Sequence, residues 1–353
     1  MWIRDSSFTL YALLKLGFTE EARAFMDFII DRCNELEGDF GKLQIMYSIH
    51  GHANLDEIVL DHWEGYKGSS PVRIGNGAFH QLQLDIYGEL MDTIYLADKY
   101  SRPVSYEIWI MLRKLVDWVC DNWNQKDEGI WEVRGGRQHF TYSKVLLWVA
   151  IDRGIRLAEK RSLPADIHRW RTIRDEICEF IHSRCWNSKR NCFMQVMRNA
   201  EDDHNPSTLD ASVLIMPLML FSSPVDPKIL STIEQICKPV REGGLMSNSL
   251  VYRYDVNQTD DGVSGEEGTF SICTFWLAEA MARAGSFEHK YLEQARWTFE
   301  QMIGYANHVG LFSEEIGLTG EALGNFPQAF SHLSLISAAI AINRGYDRRN
   351  HHD

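Results

Sequence analysis

Segments that are apolar on nearly every face alternate along this chain with charged, one-sided segments. That alternation limits the fold more than any other feature. "SVLIMPLMLF" (212–221), "TFSICTFWLAEAMA" (269–282) and "HLSLISAAIAI" (332–342) are apolar on most faces. "EEARAFMDFIIDRCNEL" (20–36) and "ADIHRWRTIRDEICEFIHSR" (165–184) are amphipathic and charged. A helix apolar all round has to be buried, and a one-sided helix covers it. The helical period runs through most of the sequence, and strand signals are sparse. Helices are predicted near 5–17, 19–36, 76–99, 104–125, 139–160, 164–184, 207–222, 226–237, 268–284, 287–306 and 325–344. Gly17 supplies the stop after the first, and Asn325 with Pro327 the start of the last.

The connections alternate as well. Short ones fall near 18, 100–103, 161–163, 223–225 and 285–286; long ones cover 37–75, 126–138, 185–206, 238–267 and 307–324. Hairpins in a ring, with inner helices walled by outer ones, satisfy both patterns. The six segments beginning near 5, 76, 139, 207, 268 and 325 would be inner and the other five outer. A closed double ring of six pairs needs one more outer helix, which would precede Met1. All the long loops then gather at one end, at the N-termini of the inner helices, and loops on a rigid scaffold are where function concentrates.

With 353 residues, 45% apolar and 24% charged, and no low-complexity tract or linker, the chain reads as a single domain over 1–353. A net charge of −13 argues against a nucleic-acid partner, which needs a basic surface. No run reaches the length of a membrane span, so no membrane partner is expected. "MWIRDSSF" has no basic region followed by an apolar stretch, so a cytoplasmic location is expected. Seven scattered cysteines without a C-x-x-C read as buried free thiols. His50 and His52 lie close together without forming a ligand set, so neither metal nor cofactor is expected.

The long loops collect one kind of chemistry. The start of the chain brings Trp2, Arg4 and Asp5. The later loops bring Trp63 and Arg73, then Trp131, Glu132 and Arg134, then Arg253 and Glu267, and finally Glu314, Glu315 and Glu321. Carboxylates, tryptophans and arginines together suit a carbohydrate, whose apolar faces stack on rings and whose hydroxyls meet charged donors and acceptors. Two carboxyl groups then serve as acid and base. Glu132 lies between Ile130-Trp131 and Val133, neighbours that would exclude water and raise its pKa.

"WIRDSSFTL", "GYKGSSPVRIGNGAFHQLQLDIYGE", "GIWEVRGG", "EEGTFSICTFWLAEA" and "SEEIGLTGEALGNFPQAFSH" stand in this order along essentially the whole chain. Together they resemble glycoside hydrolase family 15, the inverting glucoamylases and their trehalase-like relatives. The resemblance implies an (α/α)6 barrel with its active site at the N-terminal ends of the inner helices. It also implies roles: Glu132 as general acid, Glu314 as general base, and Arg4 with Asp5 gripping the non-reducing glucose. Arg253 would help to hold the sugar. Trp63, Arg73, Trp131, Arg134 and Glu267 complete the expected substrate-binding set. Relative to the family the chain is expected to be shortened at its N-terminus, without the β-sandwich domain and the first outer helix. The implied activity is inverting, exo-acting release of β-glucose from small α-glucosides or α-glucans. Trehalase of the same family is the alternative, and a non-catalytic sugar-binding remnant is the alternative of another class. The expected partner is a small carbohydrate.

Overall fold

A computed structural model describes residues 1–197, 208–255 and 267–350. Its helices are α1 (Ile3–Leu16), α2 (Thr19–Asn34), α3 (Asp85–Tyr100), α4 (Tyr106–Asn122), α5 (Thr141–Arg161) and α6 (Ile167–Phe180), followed by α7 (Ile215–Leu218), α8 (Pro227–Ile236), α9 (Ser271–Gly285), α10 (His289–Ile303) and α11 (Ala329–Asn350). Local chemistry sets several ends. Gly17, at φ 90°, closes α1 by donating its N–H to the carbonyls of Leu13 and Leu14. Ser105 caps α4 by accepting from Ile108 N–H. Asp226 caps α8 through Lys228 N–H at 2.8 Å, with Pro227 in the first turn.

Burial follows the predicted alternation. In α9 only Arg283 escapes full burial, and α3 is buried without a break from Asp85 to Ile94. In α2, by contrast, only Ala22, Met26, Ile29 and Cys33 are buried, one stripe at helical spacing. The chain forms two compact units, one of Met1–Glu132 with Leu146–Asp175, the other of Val133–Val145 with Glu176–Asp353. Within the first, α1 packs on α2 and α3, and Trp109 of α4 meets Trp170 of α6 edge to face at 6.1 Å. Within the second, α9 packs on α10 and α11, and Phe275 sits among Leu250, Met302, Phe312, Ile316 and Ala338. All seven cysteines are free thiols, and none of their side chains is exposed.

Four local expectations need correction. The third helix starts at Asp85 rather than near 76. The backbone N–H groups of Leu82 and Leu84 are taken by the carboxylates of Glu128 and Asp127, which leaves them unavailable for the bonds of a longer helix. The segment predicted as a helix over 207–222 is, among its described residues, a 3₁₀ turn over Ala211–Leu214 and the single turn α7. Pro217 lacks the N–H a longer helix would use, and Leu220 takes φ 61°. The last helix starts at Ala329, not at Asn325, because Asn325 N–H is spent on Glu314. In α11, full burial follows one stripe, Ser331, Ser334, Ala338 and Ile342, with Ser337 beside it. Small side chains there let α11 approach α9 closely. No helix among the described residues is long and apolar enough to cross a membrane.

Gly88, inside α3, has no room for a side chain: a Cβ there would lie 2.1 Å from the carbonyl oxygen of Leu146 in α5. Gly88→Ala gains about 1 kcal/mol of helix propensity and meets a backbone atom that cannot swing aside, a clash worth about 1–3 kcal/mol or more. A net loss of stability is expected, read as a lower urea midpoint with an unchanged slope.

Candidate active-site residues

In the first unit, Arg4 is the centre of a charged cluster. It sits in the first turn of α1 with its side chain 8% exposed. Three carboxylates face its guanidinium: Asp5 at 3.6 Å from Nε, Asp85 at 3.6 Å from Nη1 and Glu132 at 3.7 Å from Nη2. Nη1 also donates to Gln83 Oε1 at 2.9 Å. One cation cannot neutralise three anions, so protons are favoured here. Burial pushes the Asp5 carboxyl up to about 6; Arg4 opposes the rise and Glu132 adds to it. Burial likewise raises Asp85, against the pull of Arg4.

Glu132 reaches this cluster from a tight turn in which its own φ is 57°. A left-handed backbone at a non-glycine residue costs on the order of 1–3 kcal/mol and persists only where its surroundings fix it. Several bonds do so. Trp2 Nε1 donates to Glu132 Oε1 at 3.1 Å, Asn76 Nδ2 lies 3.4 Å from Oε2, and Gln81 Nε2 donates to the Glu132 carbonyl at 3.3 Å. The apolar surroundings expected for Glu132 are therefore not what its carboxylate meets. Ile130 and Val133 bury their own side chains, and the turn delivers Glu132 to an indole, an amide and a guanidinium.

In the second unit the counterpart cation is Arg253, paired with the carboxylate of Glu267. Its guanidinium also lies over the rings of Tyr254 (4.7 Å) and Phe270 (5.3 Å). A three-stranded antiparallel ladder organises the acids: Thr269–Phe270 pairs with Glu315–Ile316, which pairs with Ala322–Leu323. Glu314 precedes the middle strand. Its backbone exchanges bonds with Ser271 and Asn325, and its Oε2 accepts from Asn325 N–H at 2.8 Å. Gly324 leaves the space for that carboxylate, since a Cβ there would stand 2.6 Å from Glu314 Oε2. Glu315 turns instead toward Gly268, whose N–H it accepts at 3.0 Å. Burial, then the charge of Glu267, lifts Glu315 to about 7.

The remaining expected residues are placed less tellingly. Trp63 is 63% exposed, its ring edge-on to His62. Arg73 pairs with Glu57 at 3.2 Å. Neither bonds to the Arg4 cluster. Trp131 is half-buried, and Arg134 is exposed and makes no ion pair among the described residues. Gln81, Gln83 and Asp85 were not singled out from sequence, yet they meet Arg4 and the Glu132 backbone. The alternation of polar residues with leucines in Q-L-Q-L-D was the available signal. Among the described residues no group of His, Cys, Asp and Glu could hold a metal ion.

The raised Glu315 carboxyl fixes a sign for stability against pH. Its proton is held more tightly folded than unfolded, so its contribution is fully present below about 4.5 and is lost as pH rises toward about 7. Glu315→Gln is expected to flatten that part of the decline. Urea unfolding of both proteins from pH 4.5 to 7.5 measures the difference, a few kcal/mol at most.

Residues 1–340 match glycosyl hydrolases family 15. The trehalase of Mycobacterium tuberculosis (strain ATCC 25618 / H37Rv) is 42% identical over 344 residues, covering 97% of this chain and 48% of that protein. The trehalase of Thermoplasma acidophilum is 34% identical over 349 residues, covering 99% of this chain and 56% of that protein. The chain thus spans about half the length of the trehalases it matches. Among solved structures, a bacterial glucoamylase complexed with acarbose superposes with a TM-score of 0.71 at 16% identity, covering 98% of this chain and 49% of that one. The glucoamylase of Saccharomycopsis fibuligera gives 0.70 at 13% identity, covering 98% and 86%. The fold is that of these glucoamylases, an (α/α)6 barrel, and the chain belongs to glycoside hydrolase family 15.

Proposed function

We propose that this chain is a catalytic domain that hydrolyses α-glucosidic bonds with inversion, and that trehalose is its first candidate substrate. The observation that carries the reading is the gathering of Asp5 and Glu132 around the buried guanidinium of Arg4, with Trp2 and Glu132 bonded across 130 positions of sequence. In the proposed mechanism Glu132 protonates the leaving oxygen, and Glu314 takes a proton from the water that attacks the opposite face of the sugar. Arg4 and Asp5 hold hydroxyls of the glucose, as Arg253 does, with Glu267 keeping Arg253 in place. Trp131 offers a ring to an apolar sugar face, and Trp63, Arg73 and Arg134 belong to the outer substrate-binding set. The trehalases at 34–42% identity favour trehalose over a glucoamylase-type α-glucan; the glucoamylase structures, at 13–16% identity, bear on the fold alone.

The test is glucose release from trehalose, maltose and isomaltose by the purified chain, followed by NMR of the first product. Trehalose is expected to be cleaved fastest, giving one α- and one β-glucose; maltose, if cleaved, should first release the β-anomer. Glu132→Gln and Glu314→Gln should each lower turnover by about 10²–10⁴-fold. Two α-glucose molecules from trehalose, or full activity in either variant, would refute the mechanism.

A second expectation concerns pH. If ionised Asp5 grips the sugar, kcat/KM should fall as pH drops through about 6, where Asp5 takes up its proton. Asp5→Asn should abolish that limb along with most of the binding. A profile flat from pH 5 to 7 would remove Asp5 from this role.

A further inference from the structure

An unbroken hydrogen-bond chain links Arg4 to the backbone of Glu132, and no role assigned above explains it. Arg4 Nη1 donates to Gln83 Oε1 at 2.9 Å, Gln83 Nε2 donates to Gln81 Oε1 at 3.0 Å, and Gln81 Nε2 donates to the Glu132 carbonyl at 3.3 Å. Gln83 is 1% exposed, so each end of its amide has its partner inside the protein. Asp85, fully buried at the start of α3, sets Oδ2 3.6 Å from the same Arg4 Nη1. That spacing is close enough for charge attraction and too long for a strong hydrogen bond. The stretch bearing both glutamines is itself tied down, through Leu82 N–H to Glu128 and Leu84 N–H to Asp127.

We infer that Gln83 and Asp85 are positioning residues: Asp85 holds the guanidinium of Arg4 by charge, and Gln83 relays its position through Gln81 to the left-handed backbone of Glu132. Neither residue touches the Glu132 carboxylate. Their effect on the reaction rests on the proposed role of Glu132 as general acid. The physical argument is one of over-determination. A turn at φ 57° relaxes unless bonds outside it hold the carbonyl, and Gln81 supplies such a bond. Gln81 in turn is oriented by Gln83, and Gln83 by Arg4. A displacement of even about 1 Å at an acid can cost about a hundredfold in rate.

The test uses two readouts on the whole chain: kcat and KM for trehalose, and the indole N–H signal of Trp2, which donates to Glu132. Trp2→Phe assigns that signal. Gln83→Leu severs the relay and is expected to lower kcat at least tenfold, to shift the Trp2 indole signal and to speed its exchange with solvent. Gln81→Ala breaks the same chain at a half-buried position, and is expected to move the same signal should Gln83→Leu fail to fold. Asp85→Asn is expected to raise KM at least fivefold. The control is Asp92→Asn, which removes another buried carboxylate of α3, paired with Arg153 at 2.6 Å. It should lower Tm while leaving KM, kcat and the Trp2 signal as they are. A folded Gln83→Leu or Gln81→Ala with an unmoved Trp2 signal would overturn the relay, as would an equal response from Asp92→Asn. Should the unmodified chain cleave none of the three sugars, the proposed function falls, and the Trp2 signal alone still decides the positioning role.

Discussion

Helices α3 and α9 have almost no face to offer water, and much else in the protein answers to that. α9 buries every residue but Arg283, and α3 buries its first ten without interruption. Such elements can exist only if others wall them in, and the striped helices α2, α4 and α10 supply walls within their own units. Walls of this kind leave the polar chemistry to the ends. Arg4 and Asp5 lie in the first turn of α1, Asp85 opens α3, and Glu267 with Gly268 leads into the strand before α9. The N-terminal end of a helix carries exposed N–H groups and a partial positive charge, so carboxylates are at home there.

The same electrostatic arrangement appears in each unit. One arginine faces more carboxylates than it can neutralise: buried Arg4 with Asp5, Asp85 and Glu132, and half-buried Arg253 with Glu267 and, further off, Glu315. Burial disfavours an ionised carboxyl, and neighbouring negative charge adds to that, so proton affinity rises. Asp5 at about 6 and Glu315 at about 7 are the result. Carboxyl groups that titrate near neutrality are what acid–base chemistry draws on. The arrangement also works against stability as pH rises, because the folded protein must then accept charges that the unfolded chain carries in water.

Glycines at a few positions let these clusters close. Gly88 brings α3 against the backbone of α5, and Gly324 makes way for the Glu314 carboxylate. Glu132 has no such freedom and still adopts φ 57°. Trp2, Asn76 and Gln81 hold it from three sides. A strained residue gripped by several half-buried partners is a common mark of a functional position.

The sequence by itself was enough to establish the helical class, the all-round or one-sided burial of most helices, and the family motifs. Periodicity is a local property: a stripe such as Ala22, Met26, Ile29 and Cys33 announces its buried face without knowledge of what covers it. Arg4, Asp5, Glu132, Arg253 and Glu314 could be singled out as candidates, because each stands inside a distinctive short motif. What each of them meets was not legible. Covalent neighbours suggested an apolar setting for Glu132, but a left-handed turn carries its side chain away from Ile130 and Val133 to an indole, an amide and a guanidinium. Nor could sequence say that 76–84 stays outside the helix, since the carboxylates of Asp127 and Glu128 that take the N–H groups of Leu84 and Leu82 lie more than forty positions away. For the same reason Gln83 and Asp85 looked like ordinary residues near a helix start. Propensity is written in neighbouring residues, whereas hydrogen-bond partners and counter-charges are chosen by distance in space, and only the tertiary structure sets that distance.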